Sequence, residues 1–320
     1  MTMRIIRGWK GLSQDDQGAS IALGNFDGVH RGHQAVIGMA AAAARDLGLP
    51  LGVVSFEPHP RRIFQPDAPA FRLMKPDQLA RALEALGVDR LYLLPFDDEM
   101  RELSDQAFAD QVLHQGLGVR HVAVGFDISF GKGRSGSPRT MQAFGAALGF
   151  GVSVAEAVGE GGGDGAGDSD GKLSSTDARN ALREGRPDLA AAILGRPFAI
   201  EGEVRQGRQL GRTLGYPTAN VELDDYVAPR FGVYATRTRL GDGRTLAGVA
   251  NIGVNPTVPG EIAPRLEVWL FDFDEDLYGQ VIETDLIAFL RPEAKFASLE
   301  DMTAQIDDDA SMARMILSAG

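Results

Sequence analysis

Residues Gly24–His33 read GNFDGVHRGH, and this stretch decides the fold of the first half of the chain. It follows an apolar run, Ile21–Leu23, and precedes the alanine-rich segment Gln34–Arg45. We therefore predict a strand, a tight turn and a helix. The glycines of the turn permit positive φ angles and a close approach of the backbone to a ligand. They are Gly24, Gly28 and Gly32.

Two of the five histidines of the chain, His30 and His33, lie at the start of the predicted helix. Because they are three residues apart, they share a face of the first turn. A helix N-terminus attracts phosphate through its N–H groups and its dipole, so two imidazoles there indicate a site for a polyphosphate. A metal site with His59 as a third ligand is the weaker alternative, because the chain has no cysteine and this spacing is not typical of zinc.

The composition is typical of two globular domains. The chain has 320 residues, of which 44% are hydrophobic and 24% charged, enough for two buried cores. Its net charge of −12 disfavours binding to nucleic acid and to anionic membrane surfaces. Without cysteine, disulfides and thiolate catalysis are excluded. We see no signal peptide and no apolar run of membrane-spanning length, so we expect a cytoplasmic protein. The sequence leaves open whether it forms a homo-oligomer.

Short apolar runs alternate with helical patterns up to about residue 155, which predicts a parallel sheet with helices on its faces. Ligands bind such sheets at the carboxyl ends of the strands. Three candidate motifs lie there: Gly24–His33, the SFEPHP turn at Ser55–Pro60 and the block Gly125–Gly136. The later strands are predicted over 51–56, 90–94, 121–125 and 152–155, and the helices over 76–86, 104–117 and 138–148. Ser104 is the predicted N-cap of the second of these helices.

The second half has a different pattern. The glycine-rich stretch Gly159–Gly171 cannot pack, and we expect a loop there, with an inert linker as the simpler interpretation. Two short helices should follow. From Phe198 onward, apolar runs between glycine-rich turns predict antiparallel strands with a hairpin at Arg239–Arg244. With a final helix over Leu299–Ser318, this pattern favours a small barrel with a C-terminal helix. Ser298 and Asp301 have the spacing of a capping box at the start of that helix.

The residues Gly24–His33 resemble the signature of the bifunctional bacterial riboflavin kinase/FAD synthetase family, and later motifs follow that family in order. The resemblance implies a Rossmann-like α/β nucleotidyltransferase domain over residues 1–185 and an antiparallel β-barrel riboflavin kinase domain over 186–320. The first would transfer AMP from ATP to FMN, giving FAD and pyrophosphate. The second would phosphorylate riboflavin with ATP. Mg²⁺ is the implied cofactor.

For adenylyl transfer, the resemblance implies that His30 and His33 stabilise charge on the triphosphate. It also implies that Arg179, in the SSTxxR element, contacts the pyrophosphate. Asp177 departs from the family, which often has a basic residue there. Phe56 and Phe130, taken alone, would be core residues. The implied nucleotide contacts are Gly24, Asn25, Phe26, Asp27, Gly28, Gly32, Ser174, Ser175 and Thr176, and the implied flavin contacts are Phe56, His59, Asp127 and Phe130.

For the kinase reaction, the resemblance implies Glu267 as the general base for the ribityl 5′-hydroxyl, whereas strand alternation alone also allows a solvent-facing Glu267. Thr218 and Asn220, two apart on an extended segment, are the implied Mg²⁺ ligands. Trp269 stands where the family often has histidine. The resemblance also implies Gly207 and Gly211 over the phosphates and Arg291 beside the flavin, although we expect Arg291, Glu293 and Lys295 mainly to close the barrel.

Two other interpretations stay open. In the first, the chain retains only one of the two activities. In the second, it binds flavins and nucleotides without turnover. A binding module needs neither Glu267 nor the Arg179 element, so their presence favours catalysis. A cytidylyl- or pantetheine-type transferase would share the HxGH pattern of His30–His33 but not the barrel that carries the PTAN motif, Pro217–Asn220.

Overall fold

The computed structural model describes residues 2–156, 174–206, 215–254 and 263–319. The chain divides into two compact units, one formed by residues 1–68 with 76–173 and the other by residues 69–75 with 174–320. Residues 174–185 therefore pack with the second unit, and the functional boundary expected after residue 185 stays a prediction. The loop expected over Gly159–Gly171 lies outside the described residues.

The first unit contains six parallel strands, namely β1 (Arg4–Arg7), β2 (Ser20–Leu23), β3 (Leu51–Glu57), β4 (Arg90–Pro95), β5 (His121–Val124) and β6 (Gly151–Val154). They form one sheet in the order β1-β4-β3-β2-β5-β6. The predicted parallel sheet is confirmed, and β1 was missed. The strand order reverses at β2, so its carboxyl end is the switch point at which sheets of this kind bind ligands.

The helices of the first unit are α1 (Arg31–Leu47), α2 (Pro60–Phe64), α3 (Pro76–Ala85), α4 (Asp98–Glu102), α5 (Asp105–Ala107) and α6 (Pro138–Leu148). A π-helical segment, Phe108–Gly116, follows α5 directly. The helix predicted over 104–117 is thus present, with Ser104 as its N-cap as predicted, but most of it is π-helical. Its residues Phe108, Val112 and Leu113 are buried in the core beside the sheet.

The second unit contains α7 (Ser175–Arg183), α8 (Pro187–Leu194), β7 (Phe198–Glu203), β8 (Thr218–Glu222), β9 (Gly232–Arg239), β10 (Thr245–Val254), β11 (Pro264–Leu270), β12 (Val281–Arg291) and α9 (Leu299–Ser318). Its strands are antiparallel, in the order β7-β12-β9-β10-β11-β8. The two outermost strands meet because Arg205 N, just after β7, donates to Asn220 O in β8 at 2.8 Å. The predicted barrel with a C-terminal helix is confirmed.

Residues 69–75 pack into the second unit although their neighbours in sequence belong to the first. The N–H groups of Phe71 and Arg72 donate to Asp225 O at 3.0 and 2.8 Å, and Val227 N donates to Arg72 O at 2.9 Å. Phe71 is only 1% exposed. The sequence pattern does not reveal this contribution, because the partners of the segment lie far along the chain.

Helix α9 covers one face of the antiparallel sheet. Ala310, Ala313 and Leu317 pack against Val233 and Ala235 of β9. Ser298 is the N-cap of α9, as predicted, and accepts from Asp301 N at 3.0 Å. Within the described ranges, no helix combines the length and the apolar character needed to cross a membrane.

Candidate active sites

The turn between β2 and α1 has an uncommon backbone. Phe26 and Val29 adopt φ angles of 53° and 43°, a region in which each non-glycine residue costs about 1–3 kcal/mol. Gly28 takes a φ of 87°, which glycine adopts without such a cost. Phe26 and Val29 are both fully buried, so packing of their side chains holds the turn in this form. The turn thereby fixes where α1 begins.

His30 and His33 meet at the start of α1. His30 is the N-cap, and its Nδ1 accepts from His33 N at 3.3 Å, so in the neutral ring of His30 the proton lies on Nε2. The two rings stack with their centroids 3.6 Å apart, and the ring of Phe26 contacts His33 edge-on at 5.1 Å. The structure therefore brings the two imidazoles together at a helix N-terminus, where an anion is favoured.

The aromatic residues expected near the flavin lie in the first unit. Phe56, in β3, and Phe130, after β5, both pack on Phe108, with ring centroids 6.3 and 5.8 Å away. Both side chains are half-buried against the core. Asp127 is exposed in the turn after β5. These positions agree with core packing of the two rings, and their contact with a flavin stays a prediction.

His59 is the N-cap of α2, and its Nδ1 accepts from Arg61 N at 3.1 Å. In the part of the chain that the structure describes, no three His, Asp or Glu side chains are grouped as metal ligands would be. The alternative of a three-histidine metal site at His30, His33 and His59 therefore has no support from the geometry.

Hydrogen bonds at the start of α7 explain why Asp177 stands where the family often has a basic residue. Ser174 Oγ accepts from Asp177 N at 3.3 Å, and Asp177 Oδ2 accepts from Ser174 N at 3.0 Å. This reciprocal capping box satisfies two N–H groups of the helix start. Asp177 therefore stabilises the helix that carries Ser175 and Thr176, in a place where a basic residue would instead add positive charge.

Arg179, on α7, is 7% exposed. Its Nε donates to Phe71 O at 2.7 Å, and its guanidinium carbon lies 5.7 Å from the centroid of the Phe71 ring. Segment 69–75 thus orients Arg179 within the second unit. Ser174, Ser175 and Thr176 belong to the same unit, whereas His30 and His33 belong to the first.

A row of polar side chains crosses three strands of the second unit. In the strand register, Glu267 of β11 is paired with Asn220 of β8 on one side and with Asn251 of β10 on the other. Leu266 and Val268 are buried, whereas Glu267 is half-buried on the opposite face. Glu267 therefore lies between two amide side chains. Sequence reasoning missed Asn251, because only the register places it beside Glu267.

A cleft of about 80 Å³ opens beside β8. Its lining includes Thr218 and Asn220 of β8, Val268 and Leu270 of β11, and the turn over residues 273–278. Asn220 Nδ2 donates to Thr218 O at 3.4 Å, which ties the amide nitrogen to the backbone. This turn carries Asp274, Glu275 and Asp276 and runs into the DLYG segment, Asp276–Gly279, which also matches the family pattern. Gly207 and Gly211, expected over the phosphates, lie outside the described residues.

Trp269 has a packing role. Its ring contacts those of Tyr216 and Phe271 edge-on, with centroids 4.8 and 5.3 Å away. Tyr216 Oη donates to Asp307 Oδ1 on α9 at 2.8 Å. Trp269 thus belongs to an aromatic contact that connects the sheet with α9, at the position where the family often has histidine.

Arg291 connects β12 to α9. Its Nε and Nη2 donate to the carboxylate of the buried Asp309 at 2.9 and 2.7 Å. The guanidinium carbon lies 5.7 Å from the centroid of the Phe296 ring. This geometry agrees with the expectation that Arg291 supports the barrel, and its place beside the flavin stays a prediction.

Comparison with known proteins agrees with these two units. A family model described as FAD synthetase matches residues 12–166, and one described as riboflavin kinase matches residues 194–317. The bifunctional riboflavin kinase/FMN adenylyltransferase of Pseudomonas fluorescens is 43% identical over 315 residues, covering 98% of each chain. The protein of that name from Escherichia coli (strain K12) is 42% identical over 314 residues, covering 98% of this chain and 97% of the relative. That from Bacillus subtilis (strain 168) is 38% identical over 307 residues, covering 93% and 92%.

The fold is also found in a crystal structure. A protein from Streptococcus pneumoniae named a macrolide-efflux protein matches with a TM-score of 0.83 and 29% identity, covering 98% of this chain and 99% of that one. The efflux in that name concerns the other protein, and the two chains are alike in fold.

Proposed function

The chain belongs to the bifunctional riboflavin kinase/FMN adenylyltransferase family, and from this we propose which of its residues carry the two reactions. The C-terminal kinase phosphorylates riboflavin to FMN, and the N-terminal adenylyltransferase converts FMN to FAD. ATP is the co-substrate of both steps. Because both steps consume ATP, we place the enzyme in the cytoplasm. The net charge of −12 disfavours nucleic acid and anionic membranes as partners.

In adenylyl transfer, a phosphate oxygen of FMN attacks the α-phosphorus of ATP, and the bond to the pyrophosphate oxygen breaks. Such a reaction needs positioning and charge stabilisation rather than a covalent intermediate. His30 and His33 donate to the triphosphate oxygens as negative charge develops. The stacked imidazoles at the N-terminus of α1 support this role. Arg179 contacts the pyrophosphate as it leaves.

In the kinase reaction, the ribityl 5′-hydroxyl oxygen attacks the γ-phosphorus of ATP, and ADP leaves. Glu267 takes the hydroxyl proton as the new bond forms. The single observation that carries this assignment is the register in which Glu267 lies between Asn220 and Asn251, and Asn220 also lines the cleft. Because amides are uncharged, neither neighbour neutralises the carboxylate, which stays able to accept a proton.

Thr218 and Asn220 would hold Mg²⁺ in this cleft. Their side-chain oxygens are hard, neutral donors on one face of β8, which suits an ion that takes few protein ligands and completes its shell with water and phosphate. When bound, the ion neutralises charge on the β- and γ-phosphates. The chain's own contribution is to fix the two oxygens beside Glu267.

The test is a product assay with riboflavin, ATP and Mg²⁺, in which we expect FMN and then FAD. His33→Ala should lower FAD formation by roughly 10²–10³ and spare FMN formation. Glu267→Gln should lower FMN formation by roughly 10²–10⁴ and spare FAD formation from supplied FMN. His114→Ala and Glu300→Gln change the same residue types at exposed positions and should alter neither rate.

The assay also separates the other interpretations. FMN without FAD would mean that only the kinase works, and bound, unchanged riboflavin would mean a binding module. A His33→Ala enzyme that makes FAD at the wild-type rate would refute the role of His33. A fully active Glu267→Gln enzyme would make Glu267 a structural residue.

A further inference from the structure

The hairpin between β9 and β10 contacts the turn that forms one wall of the cleft. Arg244 Nη1 and Nη2 donate to Glu275 Oε1 and Oε2 at 2.6 and 2.9 Å. Its Nε donates to Asp242 Oδ2 at 2.7 Å. The guanidinium carbon also lies 5.6 Å from the centroid of the Phe273 ring. One side chain therefore contacts two residues of the turn while a third residue, in its own hairpin, fixes its orientation.

This contact has the geometry that arginine provides and lysine does not. The planar guanidinium matches both oxygens of one carboxylate and still has its Nε for another. The hydrogen bonds from Arg244 lower the pKa of Glu275 and that of Asp242, so all three groups are charged at neutral pH. At its other end the turn is held by Tyr278 N, which donates to Asp276 Oδ1 at 3.0 Å.

We propose that Arg244 is a positioning residue for the kinase reaction, which holds Glu275 and thereby the 273–278 wall of the cleft in place for a nucleoside triphosphate. Arg244 acts through the turn and does not itself touch the nucleotide. The proposal rests on the proposed function, in which this cleft beside Thr218 and Asn220 receives ATP.

The test compares steady-state kinetics of riboflavin phosphorylation in the full-length enzyme. Arg244→Ala should raise KM for ATP roughly three- to fivefold, the scale of one well-formed exposed ion pair, and leave kcat and KM for riboflavin within about twofold. Arg239→Ala is the matched control, because Arg239 on the same hairpin donates to Glu283 at 2.6 Å and does not line the cleft. It should leave KM for ATP unchanged.

Glu275→Ala shows whether Arg244 acts by positioning the turn or by cancelling a negative charge near the polyphosphate. If Arg244 acts through Glu275, this variant should raise KM for ATP as much as Arg244→Ala does, and the double variant should raise it no further. If Arg244 only cancelled a negative charge near the polyphosphate, Glu275→Ala would lower KM for ATP, and the proposal would be wrong. Additive effects of the two changes would also overturn it.

Asn220→Ala separates this proposal from the proposed function. If Asn220→Ala impairs the kinase and Arg244→Ala does not, the positioning role fails and the cleft stands as the nucleotide site. If neither variant changes the kinase reaction, the cleft is not the nucleotide site and both fail. Circular dichroism melts of each variant identify any loss that comes from misfolding.

Discussion

Replacement of Phe71 by alanine should destabilise the second unit by about 3–5 kcal/mol, the usual cost of truncating a buried phenylalanine. Phe71 is 1% exposed, and its ring lies beneath the Arg179 guanidinium. The substitution keeps the backbone carbonyl that accepts from Arg179 Nε. The expected loss therefore comes from the apolar burial and from the contact between the ring and the guanidinium.

The two tryptophans of the chain allow the units to be followed separately, because Trp9 lies in the first and Trp269 in the second. Urea unfolding would be measured by fluorescence in a Trp9→Phe background for the second unit and in a Trp269→Phe background for the first. With a slope of about 2 kcal/mol per M, Phe71→Ala should lower the midpoint of the Trp269 signal by about 1.5–2.5 M. The midpoint of the Trp9 signal should not change.

Phe64→Ala is the matched control, because Phe64 is the same residue type in the same stretch of sequence but is 65% exposed. Surface substitutions usually change stability by no more than about 0.5 kcal/mol, so we expect either midpoint to move by at most about 0.3 M. If Phe71→Ala shifts the Trp269 midpoint no more than Phe64→Ala does, residues 69–75 are not part of the core of the second unit.

Three further predictions follow from the second unit. Burial raises the pKa of Asp285 to about 6, and Glu283 adds to this shift. The protonated carboxyl stabilises the folded unit fully below its usual pKa of 3.8, and this stabilisation is lost as the pH rises through about 6. Asp285→Asn should therefore raise the urea midpoint of the second unit at pH 7.5 and not at pH 3; equal changes of the midpoint at both pH values would contradict this. Arg179→Ala should slow FAD formation and raise KM for ATP in that step, and unchanged constants would leave Arg179 a structural residue. A fragment over 174–320 should phosphorylate riboflavin without making FAD, and it should melt below the second unit of the full chain because it lacks residues 69–75. It should still melt above a fragment that starts at Leu189, which also lacks the buried face of α7; a folded but inactive 174–320 fragment would mean that the kinase needs residues from elsewhere.

Local sequence patterns predicted much of the first unit. The strand before Gly24, the turn and α1 follow from adjacent residues, and Ser104 and Ser298 were recognised as N-caps because capping involves groups three residues apart. The antiparallel strands of the second unit followed from alternation and from glycine-rich turns. The hairpin at Arg239–Arg244 is confirmed by the pairing of β9 with β10 and by the bond from Leu240 N to Arg244 O at 2.8 Å.

Features that depend on distant partners were missed. The short strand β1 reads as a mixed segment until it pairs with β4, and residues 69–75 have no pattern that assigns them to the second unit. The π-helical form of Phe108–Gly116 was also missed, because over nine residues its apolar spacing does not differ enough from that of an α-helix. For β1 and for residues 69–75, the deciding contact lies outside the window in which a pattern is read.

The same distinction separates the two candidate sites, although both are proposed to act on ATP. In the first unit, the two imidazoles proposed to contact the triphosphate lie within ten adjacent residues, because one turn and one helix N-terminus suffice to aim them. In the second, Asn220, Glu267 and Asn251 come from three strands and meet only through their register. A shift of β11 by one residue would turn Glu267 to the opposite face and bring Leu266 or Val268 into its place. The packing that fixes this register, including the contacts of Trp269 with Tyr216 and Phe271, is therefore as necessary to the proposed kinase chemistry as Glu267 itself.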